Sequence, residues 1–264
     1  MKYFVFADIH GFYSILKGEL NRLGFDYKNP NHMLISLGDN FDRGTENYEM
    51  FQFLKEMKEL NKIILVKGNH EDLMLEMLYR RKPIFRDLTN GTYDACCELV
   101  RKSLGINRED IFYDDPYLAY STLRDNGFID FIYDMKDFYE TPNFIFTHGF
   151  IPITCDELGN YDYMYMENWR EADSSDFNKA RWVNGIEMSI KYNIGEKGKK
   201  IVVGHFHSSY GHVRREYSNL TPGEYRQLEF SKKEYFLPYI DNNIIALDAC
   251  TVKSKMVNVF IIDE

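Results

Sequence analysis

Cysteine is scarce: Cys96, Cys97, Cys155 and Cys250 are the four in 264 residues, and none forms a CxxC pair. A disulfide scaffold is therefore excluded, and the thiols read as reduced, structural side chains. Long apolar runs are also missing. The stretch Tyr3-Phe4-Val5-Phe6-Ala7 is too short for a signal peptide and runs straight into Asp8. No segment approaches the length of a transmembrane helix. The expected location is the cytoplasm, and no membrane partner is expected. Basic excess is absent, since 32 Lys and Arg stand against 41 Asp and Glu, for a formal net charge of −9. A chain that tracks a nucleic-acid backbone shows a basic face. Here the cations are dispersed among acids, and Lys197-Gly198-Lys199-Lys200 reads as a solvated turn. Nucleic acid is accordingly not an expected partner. Repeats, low-complexity tracts and Pro- or Ser-rich linkers are lacking as well, which predicts one domain across 1–264.

Aromatic residues, by contrast, reach 16%, mostly Tyr and Phe. They predict a ring-rich core, with stacking on a base or sugar as the minority reading. Several short apolar runs end abruptly in Gly, Asp, Asn or His. They cover 3–7, 33–37, 62–66, 144–147 and 201–203, and stop at Asp8, Gly38-Asp39, Gly68-Asn69-His70, His148 and Gly204-His205. Each has strand length and Val, Ile or Phe content. Near-continuous apolar runs suit strands covered on both faces, so the fold class is α/β. Residues 14–23 and 46–60 place their apolar side chains at helical spacing. Asp8, Asp39 and Asn69 thus recur at intervals of about thirty residues, one strand–helix–strand step each. Parallel strands joined this way gather Asp8, His10, Asp39, Asn69 and His70 at one rim.

Segments 73–79, 93–104 and 117–135 read as helices, which predicts a helical insertion over the rim at 72–140. In the tail, 244–247 and 256–262 read as strands, expected to pair as a hairpin on a second sheet.

Five motifs carry the chemistry. At a strand end, the alternate residues of Asp8-Ile9-His10 can point the same way and share one ion, with a turn or cap as the alternative. In Gly38-Asp39-Asn40-Phe41-Asp42-Arg43-Gly44, Asp39 has two oxygens to bridge two cations, and Arg43 has a planar fork for phosphate oxygens. The alternative is a polar loop with an internal Asp–Arg pair. Gly68-Asn69-His70-Glu71 opens a helix, where Asn69 could cap and Glu71 could favour the dipole. An Asn69 amide oxygen can instead ligate a metal and leave His70 for proton transfer. Thr147-His148-Gly149 and Gly204-His205-Phe206-His207 add imidazoles, common metal ligands. Five of the seven histidines thereby follow predicted strand ends.

In that order the motifs resemble the calcineurin-like metallophosphoesterase superfamily. The Asp42-Arg43-Gly44 and Asn69-His70-Glu71 forms are similar to its phosphoprotein phosphatase branch, which includes bacterial Ser/Thr phosphatases and symmetrical diadenosine tetraphosphate hydrolases. The resemblance implies a four-layer α/β/β/α sandwich of two mixed sheets. It implies one metal held by Asp8, His10, Asp39 and His207, and a second held by Asp39, Asn69, His148 and His205. His70 would be the general acid, oriented by Asp42, and Arg43 would bind the phosphate. Arg181 is a candidate second clamp, with a surface ion pair as the equal alternative. Ala7 and Phe41 depart from the branch's usual Gly and Val, and His207 is typical of the wider superfamily.

The activity implied is dinuclear metal-dependent phosphate ester hydrolysis by a metal-bridging hydroxide. The mixed N/O donor set suits two divalent ions, Mn²⁺ first and then Fe or Zn²⁺. The favoured partner is a phosphorylated protein or a small phosphate ester, as for a Ser/Thr phosphatase. A dinucleoside polyphosphate hydrolase is the alternative, with the insertion and segment 161–184 deciding between them. A catalytically silent binding scaffold is the reading from another class. Oligomeric state is left open.

Overall fold

The computed structural model describes residues 1–107, 111–155 and 163–264. Of the segment 161–184, Tyr161 and Asp162 lie outside the described residues. Eleven strands are described: β1 Lys2–Phe6, β2 His32–Ser36, β3 Ile63–Leu65, β4 Phe138–Glu140, β5 Phe144–Thr147, β6 Ile153–Cys155, β7 Tyr163–Tyr165, β8 Lys200–Val203, β9 Tyr239–Ile240, β10 Ile244–Ala246 and β11 Val259–Asp263. The first sheet has the order β11-β1-β2-β3, with β1, β2 and β3 parallel and β11 antiparallel to β1. The second has the order β4-β5-β8-β10-β9, with β5, β8 and β10 parallel between antiparallel edges. β6 and β7 pair as a separate ribbon.

Strand alternation explains the layers. Phe4, Phe6 and Leu34 face outward and pack with helices α1 (Tyr13–Arg22), α2 (Asn47–Glu59) and α3 (Asn69–Arg80). Their neighbours Val5, Ile35 and Leu37 face inward, against Phe146, Val202, Ile245 and Leu247 of the second sheet. Outward from the second sheet, Ile145, Ile201, Val203 and Ile244 pack with Phe177, Ile186 and Met188. Those three lie on α9 (Ser174–Ala180) and α10 (Gly185–Tyr192), which follow the helices described next. Both sheets are therefore covered twice, in the order α/β/β/α, and this is why their strands read as unbroken apolar runs.

Five further helices lie between β3 and β4: α4 Phe85–Asn90, α5 Thr92–Leu104, α6 Ile111–Asp114, α7 Pro116–Asp125 and α8 Phe128–Tyr133. Residues 108–110 of this stretch lie outside the described residues. The helix expected over 117–135 is two helices, broken at Gly127, whose φ is +82°. Residues 138–140, the end of the expected insertion, form an edge strand of the second sheet. The bundle joins the outer layer of the first sheet through Cys96, Leu99, Phe112, Leu123 and Phe128. It touches the rim where Gly91 and Thr92 meet Arg43 and Asp42.

The tail corrects another expectation. β10 and β11 do not form a hairpin: β10 pairs with β8 and β9, whereas β11 crosses to the first sheet and pairs with β1. A hairpin needs a tight turn. Here α13 (Thr251–Ser254), preceded by α11 (Ser209–Glu216) and α12 (Pro222–Glu229), occupies the connection instead. Asn258 then ties the crossing to Phe236 O and Leu247 O, at 2.8 and 2.9 Å. Among the described residues no helix is long and apolar enough to cross a membrane.

Candidate metal centre

Every parallel strand ends at the same rim. β1 leads to Asp8 and His10, β2 to Asp39, β3 to Asn69 and His70, β5 to His148, and β8 to His205. The loops after β2 and β3 touch: a Cβ on Gly38, whose φ is +94°, would lie 2.3 Å from Gly68 N. Asp8, His10, Asp39, Asp42, Arg43 and His205 all hold positive φ. Non-glycine residues held there are strained, and such residues gather at functional sites.

Two groups of ligand atoms converge here, each with its atoms within 4.8 Å of one another. One is His10, Asp39 and His70, and the other is Asp39, His148 and His205, so Asp39 is shared. His148 Nε2 lies 3.4 Å from Asp39 Oδ1, while His10 Nε2 and His70 Nε2 lie 3.8 and 3.9 Å from Oδ2. Asp39, His10, His70 and His148 are buried, and His205 is half-buried.

Each imidazole is oriented through the protein. His10 Nδ1 donates to Phe41 O at 2.9 Å, and His148 Nδ1 donates to Leu37 O at 2.7 Å. His205 lies edge-on to the Trp182 ring, with centroids 6.0 Å apart. This leaves His148 Nε2 as a lone pair pointed at Asn69 Oδ1, 2.8 Å away. Two acceptors at that distance repel unless a cation joins them. At the other group Arg43 supplies positive charge, with Nη1 donating to His10 Nε2 at 2.9 Å and Nη2 donating to His70 Nε2 at 3.1 Å. Neutral imidazoles, an amide oxygen and a carboxylate with backbone-anchored rings form the donor set that divalent ions take. These residues fit two such ions.

The electrostatics agree. Burial holds His10, His148 and His205 neutral, and lowers His205 to about 3. Burial opposes the charge on Asp39, but the rings of His148, His70, His10 and His205 outweigh it and lower its pKa. His70 runs the other way. Burial lowers its pKa, but Asp39 and a 2.7 Å bond from Nδ1 to Asp42 Oδ2 raise it overall. Thr92 Oγ1 donates to the same Asp42 oxygen at 2.7 Å. His70 is thus a proton-holding group whose Nε2 meets Arg43 at 3.1 Å and lies 3.9 Å from the shared carboxylate.

Three sequence-picked residues stand apart from these groups. Asp8 is buried at the rim, but both its oxygens accept from His205 N, at 3.1 and 2.9 Å. Burial, then the facing Asp248 carboxylate, pushes the Asp8 pKa up. His207 turns away to Ser209 Oγ at 2.5 Å and towards Glu229 at 3.8 Å. Alternate residues share a face only while the chain stays extended, and the φ of +66° at His205 ends that. Arg181 is buried in an ion-pair network, with Nη1 on Asp72 at 2.9 Å and Nη2 on Asp137. Its guanidinium joins α3 to the β4 edge rather than presenting a free fork.

One rim residue, Glu71, does more than the dipole role its sequence position suggests, and another, Asp248, escaped the sequence reading. Glu71 is fully buried and accepts from Gly68 N, Asp39 N and Asn40 N, each at 2.9 Å, so it pins the two loops together. Asp248 follows β10 and is buried beside the His205 turn. The signal for it was present: 244–247 is an apolar run ended by an acid, as in β1.

A family described as calcineurin-like phosphoesterase matches residues 1–240. Over 72 residues, 27% of this chain and 30% of the relative, the sequence is 42% identical to serine/threonine-protein phosphatase 2 of Escherichia coli K12. Over 88 residues, 31% of this chain and 36% of the relative, it is 27% identical to an asymmetrical bis(5'-nucleosyl)-tetraphosphatase of Halalkalibacterium halodurans. The matched parts thus span about a third of those relatives. A solved protein serine/threonine phosphatase from Saccharomyces cerevisiae is 17% identical, with a TM-score of 0.46, covering 78% of this chain and 61% of that one.

Proposed function

The chain belongs to the calcineurin-like phosphoesterase family, and from that premise we propose that it is a dinuclear metal-dependent phosphomonoesterase of the Ser/Thr phosphatase type. The observation that carries this reading is Asp39, one buried carboxylate with His10 and His70 converging on one side and His148 and His205 on the other, His70 being held by Asp42. His10, Asp39, Asn69, His148 and His205 hold the ions, together with Asp8. Bound there, divalent ions supply Lewis acidity for activating water and for neutralising phosphate charge.

The chain's own residues do the rest. Arg43 holds its planar guanidinium against His10 and His70, and that fork suits two phosphate oxygens. His70, held at Nδ1 by Asp42, takes a second proton on Nε2 once Arg43 turns from it to the phosphate, and delivers that proton to the leaving oxygen. Asp42 fixes the ring plane and stabilises the imidazolium.

A dinucleoside polyphosphate hydrolase is the second reading, and one observation favours it. Trp182 is half exposed, with its ring edge-on to His205 at 6.0 Å. It borders a cleft of about 620 Å³ that Lys67, Tyr79 and Tyr133 also line. A nucleobase could stack there.

Purified protein with Mn²⁺, assayed on phosphoserine and phosphothreonine peptides, phenyl phosphate and diadenosine tetraphosphate, separates the readings. Phosphate release from the peptides supports the first. Cleavage of diadenosine tetraphosphate alone supports the second. Inactivity on all of them, with metal bound, sinks both. Asp39→Asn should lose both ions by elemental analysis, and two full sites in that variant contradict a shared carboxylate.

A further inference from the structure

The Asp8 side of the rim has fewer side chains than the sequence motifs imply, because His207 is turned to Ser209 and Glu229. Something else stands in its place. β10 runs parallel to β8 with Ile244 beside Ile201 and Ala246 beside Val203. Leu247 N continues the register by donating to Val203 O at 2.9 Å. Carrying that register forward puts Asp248 beside His205, whose N–H donates to the Asp8 carboxylate at 2.9 Å. Ser208 N donates to Asp248 O at 2.8 Å, which holds the two turns together. Thr251 Oγ1 reaches Asp8 O at 3.2 Å, so the loop that begins at Asp248 closes over the Asp8 backbone.

Asp248 is buried, at 7% exposure. Its Oδ1 accepts from Cys250 N at 2.6 Å, in a turn that requires the left-handed φ of +48° at Cys250. Among the described residues no hydrogen bond reaches its other oxygen. Asp8 is 1% exposed and has the His205 N–H as its donor. Two buried carboxylates so placed repel unless a cation lies between them. The Arg43 guanidinium is already committed to His10 and His70.

We propose that Asp248 is a metal-ligating carboxylate of the Asp8–His10 side of the centre, in the position the sequence assigns to His207. This rests on the reading of the rim as a dinuclear centre. Asp248 shares with the other rim residues its origin at the end of a parallel strand, and it adds the negative charge that a divalent ion on that side needs. His207 then serves the helix that follows it.

The test is titration of metal-free protein with Mn²⁺ by calorimetry, with elemental analysis after dialysis. Wild type should bind two equivalents. Asp248→Asn keeps an acceptor for the Cys250 N–H and should weaken one site about tenfold or more, leaving the other unchanged. The metal-free variant should melt no lower than metal-free wild type, because one of two facing charges is gone, and its Mn²⁺-induced rise in Tm should shrink. Asp8→Asn should weaken the same site. Should Asp248→Asn not fold, Asp248→Ser provides the shorter acceptor for the same measurements. Two wild-type affinities in the variant overturn the assignment while the dinuclear reading stands. Equal loss at both sites with a lowered metal-free Tm marks a packing role and overturns it too. Fewer than two equivalents in wild type sinks the dinuclear reading itself, and this inference with it.

Discussion

The first sheet delivers its rim residues in dense, mutually bonded loops, and the second delivers them singly. After β2 and β3, Glu71 collects Gly68 N, Asp39 N, Asn40 N and the Asn40 amide, while His70 N donates to Asp39 Oδ1 at 3.0 Å. After β5 and β8, His148 arrives with one ring nitrogen on Leu37 O, and His205 with its ring edge-on to Trp182. The difference follows from what each half has to control. A metal-binding imidazole needs its tautomer and plane fixed, and one bond suffices for that. A proton donor and a phosphate-binding fork must be aimed at a reacting group, which takes several constraints.

The sharpest way to break this comparison is to make one substitution in both halves. His70→Asn should keep two ions and lower turnover of phenyl phosphate by about 10² to 10⁴, the usual scale of general-acid help. His148→Asn should instead lose an ion and slow good and poor leaving groups alike. Rates on phenyl and p-nitrophenyl phosphate, with elemental analysis of both variants, decide it. Equal rates of His70→Asn and wild type on phenyl phosphate remove the acid role.

A smaller effect tests the loops themselves. Glu71→Ala strands several buried donors at once and should cost about 3 kcal/mol or more in urea unfolding. In the second half, Thr147→Val removes one buried bond, the 2.9 Å contact to Phe150 O, and should cost about 1 kcal/mol. Equal losses would show that the loops of the first sheet are no more tightly braced than those of the second.

The same contrast decides what could be read from sequence. The parallel strands were legible because burial on both faces leaves unbroken apolar runs, and their ends were legible because polar motifs begin there. Dense loops announce themselves: Gly38 to Gly44 and Gly68 to Glu71 carry several unusual residues each. Single residues do not. Asp248 ends the run 244–247 with no second motif residue beside it, and it passed unnoticed. His207 points to Ser209 and Glu229 after a turn set by one backbone angle, at His205, that no side-chain pattern records. Arg181 was recognised as a cation near the site, but its partners Asp72 and Asp137 come from distant segments. The sheet that receives β11 is likewise set by a crossing through α13, not by the apolar pattern of the strand.

The smallest effect concerns the point where the helical bundle meets the rim. Thr92 opens α5, is fully buried, and donates to the Asp42 oxygen that also holds His70. The other Asp42 oxygen is buried without a partner among the described residues. Asp42 therefore has two bonds to set its orientation, and one of them comes from the insertion. Thr92→Val keeps the shape and removes the donor, at about 1 kcal/mol in stability. If the bundle braces the proton-transfer side, kcat on phenyl phosphate should fall several-fold while KM and Mn²⁺ affinity hold, and p-nitrophenyl phosphate should be less affected. A loss shared equally by both substrates would reduce Thr92 to a packing residue. The brace on the first half would then end at Glu71.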